Sequence, residues 1–349
     1  MFPTRLFSTN GYVTQRIKLQ RYQSIEEVPE NYREPGIMSG YRNLECSASQ
    51  AILSLFNATN ETLNFWTHFI PTIYFVWQFC NLACTMPLFS DPYLFPFVCY
   101  MVASCCYPLM SCIAHAFSCL STTAAHICFF LDYAALSLYS WGVAVLYFSY
   151  CLPNSMIQSS LANYFLPVAT ANAIFATVIA CYSRFCNFPI MRKSLRLCAF
   201  IVPYIWDSLP LVWRLITCDS ENDTCSESVW PHAKQFLSVT MASFFYASHI
   251  PERLAPGKFD IIGHSHNLLH LFGIIATNEQ LQGSLIDLQG RKSSFAAIEW
   301  TTPQYWTTLV TPIIVILNIL IITCFTLMVN RLSNERPLID LNKGKEKIK

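Results

Sequence analysis

Residues Leu309–Val329 read LVTPIIVILNILIITCFTLMV, and none of them is charged. A helix needs about 20 consecutive apolar residues to cross the hydrocarbon core of a bilayer, so this stretch by itself puts the chain in a membrane. Working outwards, similar windows recur near 65–86, 94–119, 127–150, 160–182, 195–216, 235–252 and 261–281, separated by charged or turn-rich breaks. With 305–329 they predict eight spans. Composition agrees, since 53% of the 349 residues are hydrophobic and 12% are charged, against about 25% charged in soluble domains. A net charge of +1 gives no basis for a nucleic-acid partner.

The expected fold class is therefore all-α and polytopic. A polar, proline-bearing segment 1–63 precedes a transmembrane core 64–281, with a short interfacial helix over 43–56. A loop 282–304, an eighth helix 305–329 and a basic tail 330–349 follow. No basic region leading into an apolar core follows Met1, so insertion is expected to begin with the first span. Eight spans put both termini on one side. That side collects all but Arg214, Lys234, Arg291 and Lys292 of the 22 lysines and arginines, and cytoplasmic connections are the ones that keep basic residues. Both termini are expected in the cytoplasm, at the plasma membrane; the final Lys347-x-Lys349 spacing leaves internal membranes as the alternative.

The loop 217–234 on the opposite side carries Asp219, Glu221, Asp223, Glu227 and a glycosylation acceptor at Asn222. Cys218 and Cys225 flank that acceptor. They pair only if the loop brings them together, and the sequence leaves this open. Two further acceptors, at Asn57 and Asn60, fall on the expected cytoplasmic side. Most other cysteines lie within spans, where they behave as small apolar side chains.

Ionisable groups inside a membrane are expensive and usually face an internal cavity. Here they are His68, His115, Asp132, Asp207, His249 and the trio His264, His266 and His270. His266 and His270, four apart, share one helix face, the spacing that lets two imidazoles reach one metal ion. The span containing His115 ends, and those containing Asp132 and the His266/His270 pair begin, on the same side, so the four converge at one depth. Three histidines suit zinc with one position left open, and Asp132 could orient a water or an imidazole. Ser111, one turn before His115, would point a hydroxyl at the same cavity. The bland alternative is that these side chains only hydrogen-bond helices together. Asp207, between Pro203 and Pro210, sits where a kinked helix can line a cavity.

The run Pro251-Glu252-Arg253-Leu254-Ala255-Pro256-Gly257-Lys258-Phe259-Asp260, followed by Ser265-His266 and His270, resembles the seventh-helix signature of the progestin and adipoQ receptor family. Asn64-Phe65-Trp66-Thr67-His68, Ser111-x-x-x-His115 and Leu131-Asp132-Tyr133 resemble its other blocks. The likeness runs from about Ile37 to Leu281. Ile37-Met38-Ser39-Gly40-Tyr41-Arg42, Asn60-Glu61-Thr62, Gly263-His264-Ser265-His266 and the added eighth span resemble the membrane progestin receptor branch.

The resemblance implies a seven-helix core like that of the adiponectin receptors, with zinc held by His115, His266 and His270 and with Asp132 nearby. It implies a receptor for progestin-type steroids that signals rapidly through G proteins. Asp207 is the expected contact for a steroid carbonyl, with a buried, protonated or paired carboxyl that serves packing as the alternative. The alternative is zinc-dependent hydrolysis of a lipid amide, as in the related ceramidases, with Asp132 as base and Ser111 stabilising the oxyanion. His264, on a different helix face from His266, is expected at the interface, and His68 and His249 in packing or interfacial roles.

Overall fold

The computed structural model describes residues 22–157, 159–218, 225–297 and 302–346. Helix α1 (Ala48–Ser54) opens with a capping box: the Ser47 hydroxyl accepts from Gln50 N, and the Gln50 side chain accepts from Ser47 N. It is shorter than the 43–56 segment expected. The long helices follow as α2 (Thr62–Thr85), α3 (Phe95–Phe117), α4 (Thr122–Tyr150), α5 (Ser160–Ser183), α6 (Pro189–Asp207), α7 (Leu209–Ile216), α8 (Cys225–Ser248) and α9 (Ser265–Ala297). A short α10 (Thr302–Tyr305) passes through a π-helical turn, Trp306–Val310, into α11 (Thr311–Glu346).

The expected single span 195–216 is two helices, α6 and α7, meeting at 44°. Pro210 lacks the N–H that would continue the ladder, and its ring crowds the carbonyl four residues back, so the helix breaks at Ser208. Helix α8 starts at Cys225, well before the expected 235, and stops at Ser248 because His249 leaves the helical region with φ of 55°. Helix α9 runs on to Ala297, so most of the expected loop 282–304 is helical. Beyond 329 the backbone of α11 also continues as helix, to Glu346.

Among the described residues, four helices are long and apolar enough to cross a membrane, or five if the bent pair α6/α7 counts as one span. Helices α2, α8 and α9, with 24, 24 and 33 residues, have the length but not the hydropathy. Their polar groups point inward. On α9, Asn267, His270, Thr277, Gln280, Ser284, Asp287 and Arg291 are all buried, whereas Ile70, Ile73 and Trp77 of α2 are each more than half exposed. Polar side chains inside and large apolar ones outside are what a bundle surrounded by lipid requires.

Helix α4 is the hub. It packs on α3, α5, α6, α7, α9 and α11, and every residue from Trp141 to Tyr150 is buried. Helix α11 lies outside, against α4 and α5. The segment 22–61 is docked on the bundle. Val28, Ile37 and Tyr41 form a small core of their own. Asp260 accepts from Met38 N (2.9 Å) and from Ser39 Oγ (2.6 Å). Gly36, with φ of +86°, crosses so close to Glu252 that a Cβ would sit 2.7 Å from the Glu252 carbonyl oxygen. At the opposite end, Cys218 and Cys225 form a disulfide with 5.9 Å between their Cα atoms. The acceptor Asn222 lies outside the described residues.

Candidate metal centre

His115 is in the last turn of α3, and His266 and His270 are in the first turns of α9. Each offers one ring nitrogen, and the three nitrogens lie within 4.8 Å of one another, so the group could hold a metal ion. The Nε2 atoms of His115 and His266 are 3.2 Å apart. His115 and His270 are buried, and His266 is partly so.

What aims these rings lies largely on α2. His115 Nδ1 donates to Glu61 Oε2 at 2.6 Å, and His270 Nδ1 donates to the Asn64 carbonyl at 3.0 Å and lies 3.2 Å from Thr67 Oγ1. A carbonyl or an ionised carboxylate only accepts, so both Nδ1 atoms carry the hydrogen and both Nε2 lone pairs are free for a cation. Asn64 ties the arrangement together. Its Nδ2 donates to Glu61 Oε2 (2.9 Å), and its Oδ1 accepts from Asn267 Nδ2 (2.7 Å) on α9. His68, one turn beyond Asn64, stacks on His270 with ring centroids 3.7 Å apart and planes at 9°.

The structure divides the residues expected at this centre. Asp132 lies within electrostatic reach of His115 and Arg196, but the carboxylate that orients an imidazole is Glu61. Ser111 is buried one turn before His115. His264 is buried, its Nε2 donating to the Asn60 carbonyl at 3.1 Å. Asp207 is elsewhere, at the α6/α7 break, where its Oδ2 accepts from Ser140 Oγ of α4 at 2.5 Å. Glu61, Asn64 and Thr67 escaped a reading based on ionisable groups within spans. Their spacing of three residues on one face of α2 was the available signal.

The loop before α9 also explains part of the 251–260 run. Glu252 caps α9, its carboxylate accepting from Ser265 N at 2.7 Å and from the Ser265 hydroxyl. Burial would push the Glu252 carboxyl up, but hydrogen bonds from His249 and Ser265 outweigh it and hold it down at about 2. Its contribution to stability is therefore present above the ordinary carboxylate pKa of about 4.3 and lost only as the pH falls through about 2. Glu252→Gln is expected to lower stability by about 1–2 kcal/mol. Hydrogen exchange should quicken first at residues 265–268, and a change confined to distant helices would contradict the capping role.

Cys151, His232 and Asp287 form a second group able to surround a cation. Its chemistry differs. Asp287 Oδ1 is 2.6 Å from Arg214 Nη1, while its Oδ2 accepts from His232 Nε2 (2.9 Å) and Cys151 Sγ (3.3 Å). Nδ1 of His232 has no hydrogen-bond partner among the described residues, unlike the Nδ1 atoms of His115 and His270. Arg214 already neutralises the carboxylate, so this group is an ion-pair lock joining α4, α7, α8 and α9.

Residues 56–281 match the haemolysin-III related family. The chain is 44% identical over 278 residues to membrane progestin receptor gamma of Homo sapiens, covering 79% of this chain and 84% of that protein. It is 41% identical over 328 residues to membrane progestin receptor delta of Mus musculus, covering 93% and 95%. Membrane progestin receptor beta of Sus scrofa is 29% identical over 274 residues, 77% of each chain. With its helical bundle and matches that span most of its length, the chain belongs to the haemolysin-III related family.

Proposed function

We propose that the protein is a membrane receptor for progestin-type steroids, with a zinc ion bound by His115, His266 and His270 and with signalling through G proteins. The observation that carries the reading is the likeness, at 40% identity or more over most of the chain, to gamma and delta proteins named membrane progestin receptors. In support of zinc, the 3.2 Å between the His115 and His266 Nε2 atoms is close to the edge, about 3.3–3.4 Å, of a tetrahedron with Zn–N bonds of ~2.0–2.1 Å. Placement of both termini in the cytoplasm is supported by the basic residues and by the Cys218–Cys225 disulfide at the other end, since disulfides persist in oxidising compartments.

A steroid would reach the bundle from the lipid. On the outer face, Val168 and Asn172 of α5, Val202, Ile205 and Trp206 of α6, and Leu209 of α7 line a groove of about 370 Å³, within the ~300–1,000 Å³ range of small-molecule clefts. Asp207 adjoins the lining residue Trp206 in sequence. It is buried, and its Oδ1 has no hydrogen-bond partner among the described residues. We assign Oδ1 as the protonated oxygen of the carboxyl, donating to a carbonyl of the steroid while Oδ2 accepts from Ser140. Asp207→Ala is expected to weaken binding of radiolabelled progesterone by up to about tenfold, the value of one buried hydrogen bond from a neutral carboxyl. An unchanged Kd would remove Asp207 from the site.

One observation favours a second reading, hydrolysis of a lipid amide. His115, His266 and His270 would hold zinc with three protein ligands, the number found in catalytic zinc sites, and Asp132 is within electrostatic reach of His115. When bound there, zinc would supply a Lewis acid. Asp132 would then hold or release a proton, and Ser111 would donate a hydrogen bond. The test measures zinc content, saturable progesterone binding and ceramide turnover for the wild type and His270→Ala. Steroid binding without turnover supports the receptor. Turnover that disappears with the metal, without steroid binding, overturns it in favour of the hydrolase.

A further inference from the structure

Cys46 and Cys119 are 73 residues apart in sequence, yet their Sγ atoms lie 3.4 Å apart at the histidine end of the bundle. The backbone holds them in register. Glu45 N donates to the Cys119 carbonyl at 2.8 Å, and Arg42 donates from Nη1 to the Ala116 carbonyl (2.8 Å) and from Nη2 to Ser118 Oγ (3.3 Å). Residues 42–46 are thus laid along the end of α3, just past His115. A disulfide needs sulfurs ~2.05 Å apart, and with the main chains already in contact most of that closure is side-chain rotation. At the other end Cys218 and Cys225 are bonded; here both thiols are free.

We propose that Cys46 and Cys119 form a reversible disulfide that fastens the N-terminal segment to the end of α3. Cys46 is partly exposed and Cys119 is buried, which sets the order of attack. The Cys46 thiolate attacks a low-molecular-weight disulfide such as oxidised glutathione, forming a mixed disulfide and releasing one glutathione thiolate. The Cys119 thiol then gives up its proton and attacks the Cys46 sulfur, expelling the second glutathione. Two protein thiols are oxidised and one glutathione disulfide is reduced to two thiols, so atoms and electrons balance. In the reduced protein, non-covalent contacts hold residues 42–46 on α3. In the oxidised protein, a covalent bond does so four residues from His115. The proposal depends on neither the steroid nor the zinc.

The test uses the full-length protein in lipid nanodiscs, equilibrated with oxidised glutathione, alkylated and mapped by mass spectrometry. A peptide linking Cys46 to Cys119 should accumulate, revert with dithiothreitol and be absent from Cys46→Ser. Amide exchange over residues 42–47 should slow by about tenfold or more in the linked form, as expected when local opening is suppressed. Three results would overturn the proposal: both thiols still open to alkylation, a glutathione adduct on Cys46 that never resolves, or a linked peptide with unchanged exchange. The main readout is on the wild type, so it does not depend on a variant that folds.

Discussion

Replacing His115 by alanine is expected to take the zinc content of the purified protein from about one ion per chain to below about a tenth. Structural zinc sites are worth roughly 10 kcal/mol or more in total. One ligand of three therefore carries several kcal/mol, and the affinity should fall by about a hundredfold to a thousandfold. Glu61→Gln should act on the same centre more mildly. It keeps an oxygen for His115 Nδ1 (2.6 Å in the wild type) but removes the negative charge, a change worth about 10–100-fold in metal affinity. Zinc should then be recovered when the ion is supplied in excess. Asp132→Asn should leave the zinc content unchanged, because Asp132 is not one of the grouped ligands. Elemental analysis of the four proteins decides the matter, and a His115→Ala protein that keeps its full zinc content would refute the assignment.

The second large effect lies at the opposite end. Asp287→Ala leaves Arg214 and His232, 2% and 0% exposed, without the carboxylate between them. Breaking a buried pair by removing one partner costs about 3–5 kcal/mol, whereas replacing both partners by apolar residues of similar volume is often neutral. Asp287→Ala should therefore unfold far more readily than the wild type in detergent, and Asp287→Leu combined with Arg214→Met should recover most of the loss. The close fit should add to the effect. A Cβ on Gly283 would come within 2.7 Å of the His232 ring, so the imidazole cannot move towards α9 to find a new partner. Stability of Asp287→Ala within about 1 kcal/mol of the wild type would show that the lock contributes little.

The sequence revealed the fold wherever hydropathy and burial coincide. Helices α3, α4, α5 and α11 face lipid or an apolar core along most of their length, so an apolar window finds them. It misjudges α8 and α9, whose buried faces are polar. The window over α9 faded near Leu281 because Ser284, Asp287 and Arg291 follow, yet those residues are inside the bundle and the helix continues past them. The break at Ser208 was foreshadowed by Pro210, but its angle depends on how α6 and α7 pack.

At the candidate centre the same contrast holds. The pairing of His266 with His270 is local, a matter of 3.6 residues per turn. The partner of His115 is 54 residues away at Glu61, and a hydrogen bond between separate helices leaves no period in the sequence. The intramembrane carboxylate Asp132 attracted the role of orienting an imidazole because its cost demanded an explanation. Glu61, at the helix start and in reach of water, raised no such question. The contact between Cys46 and Cys119 was hidden for the same reason, since neither residue has a local partner to mark it.

The proposed site is one zinc ion held by three imidazoles from α3 and α9. X-ray absorption at the zinc edge on the full-length protein in nanodiscs tests it most directly. The expected spectrum shows about one zinc per chain, with three imidazole nitrogens at ~2.0–2.1 Å and a remaining oxygen ligand. A folded protein without zinc, or a zinc with a sulfur neighbour at ~2.3 Å as the Cys151 group would give, would contradict it.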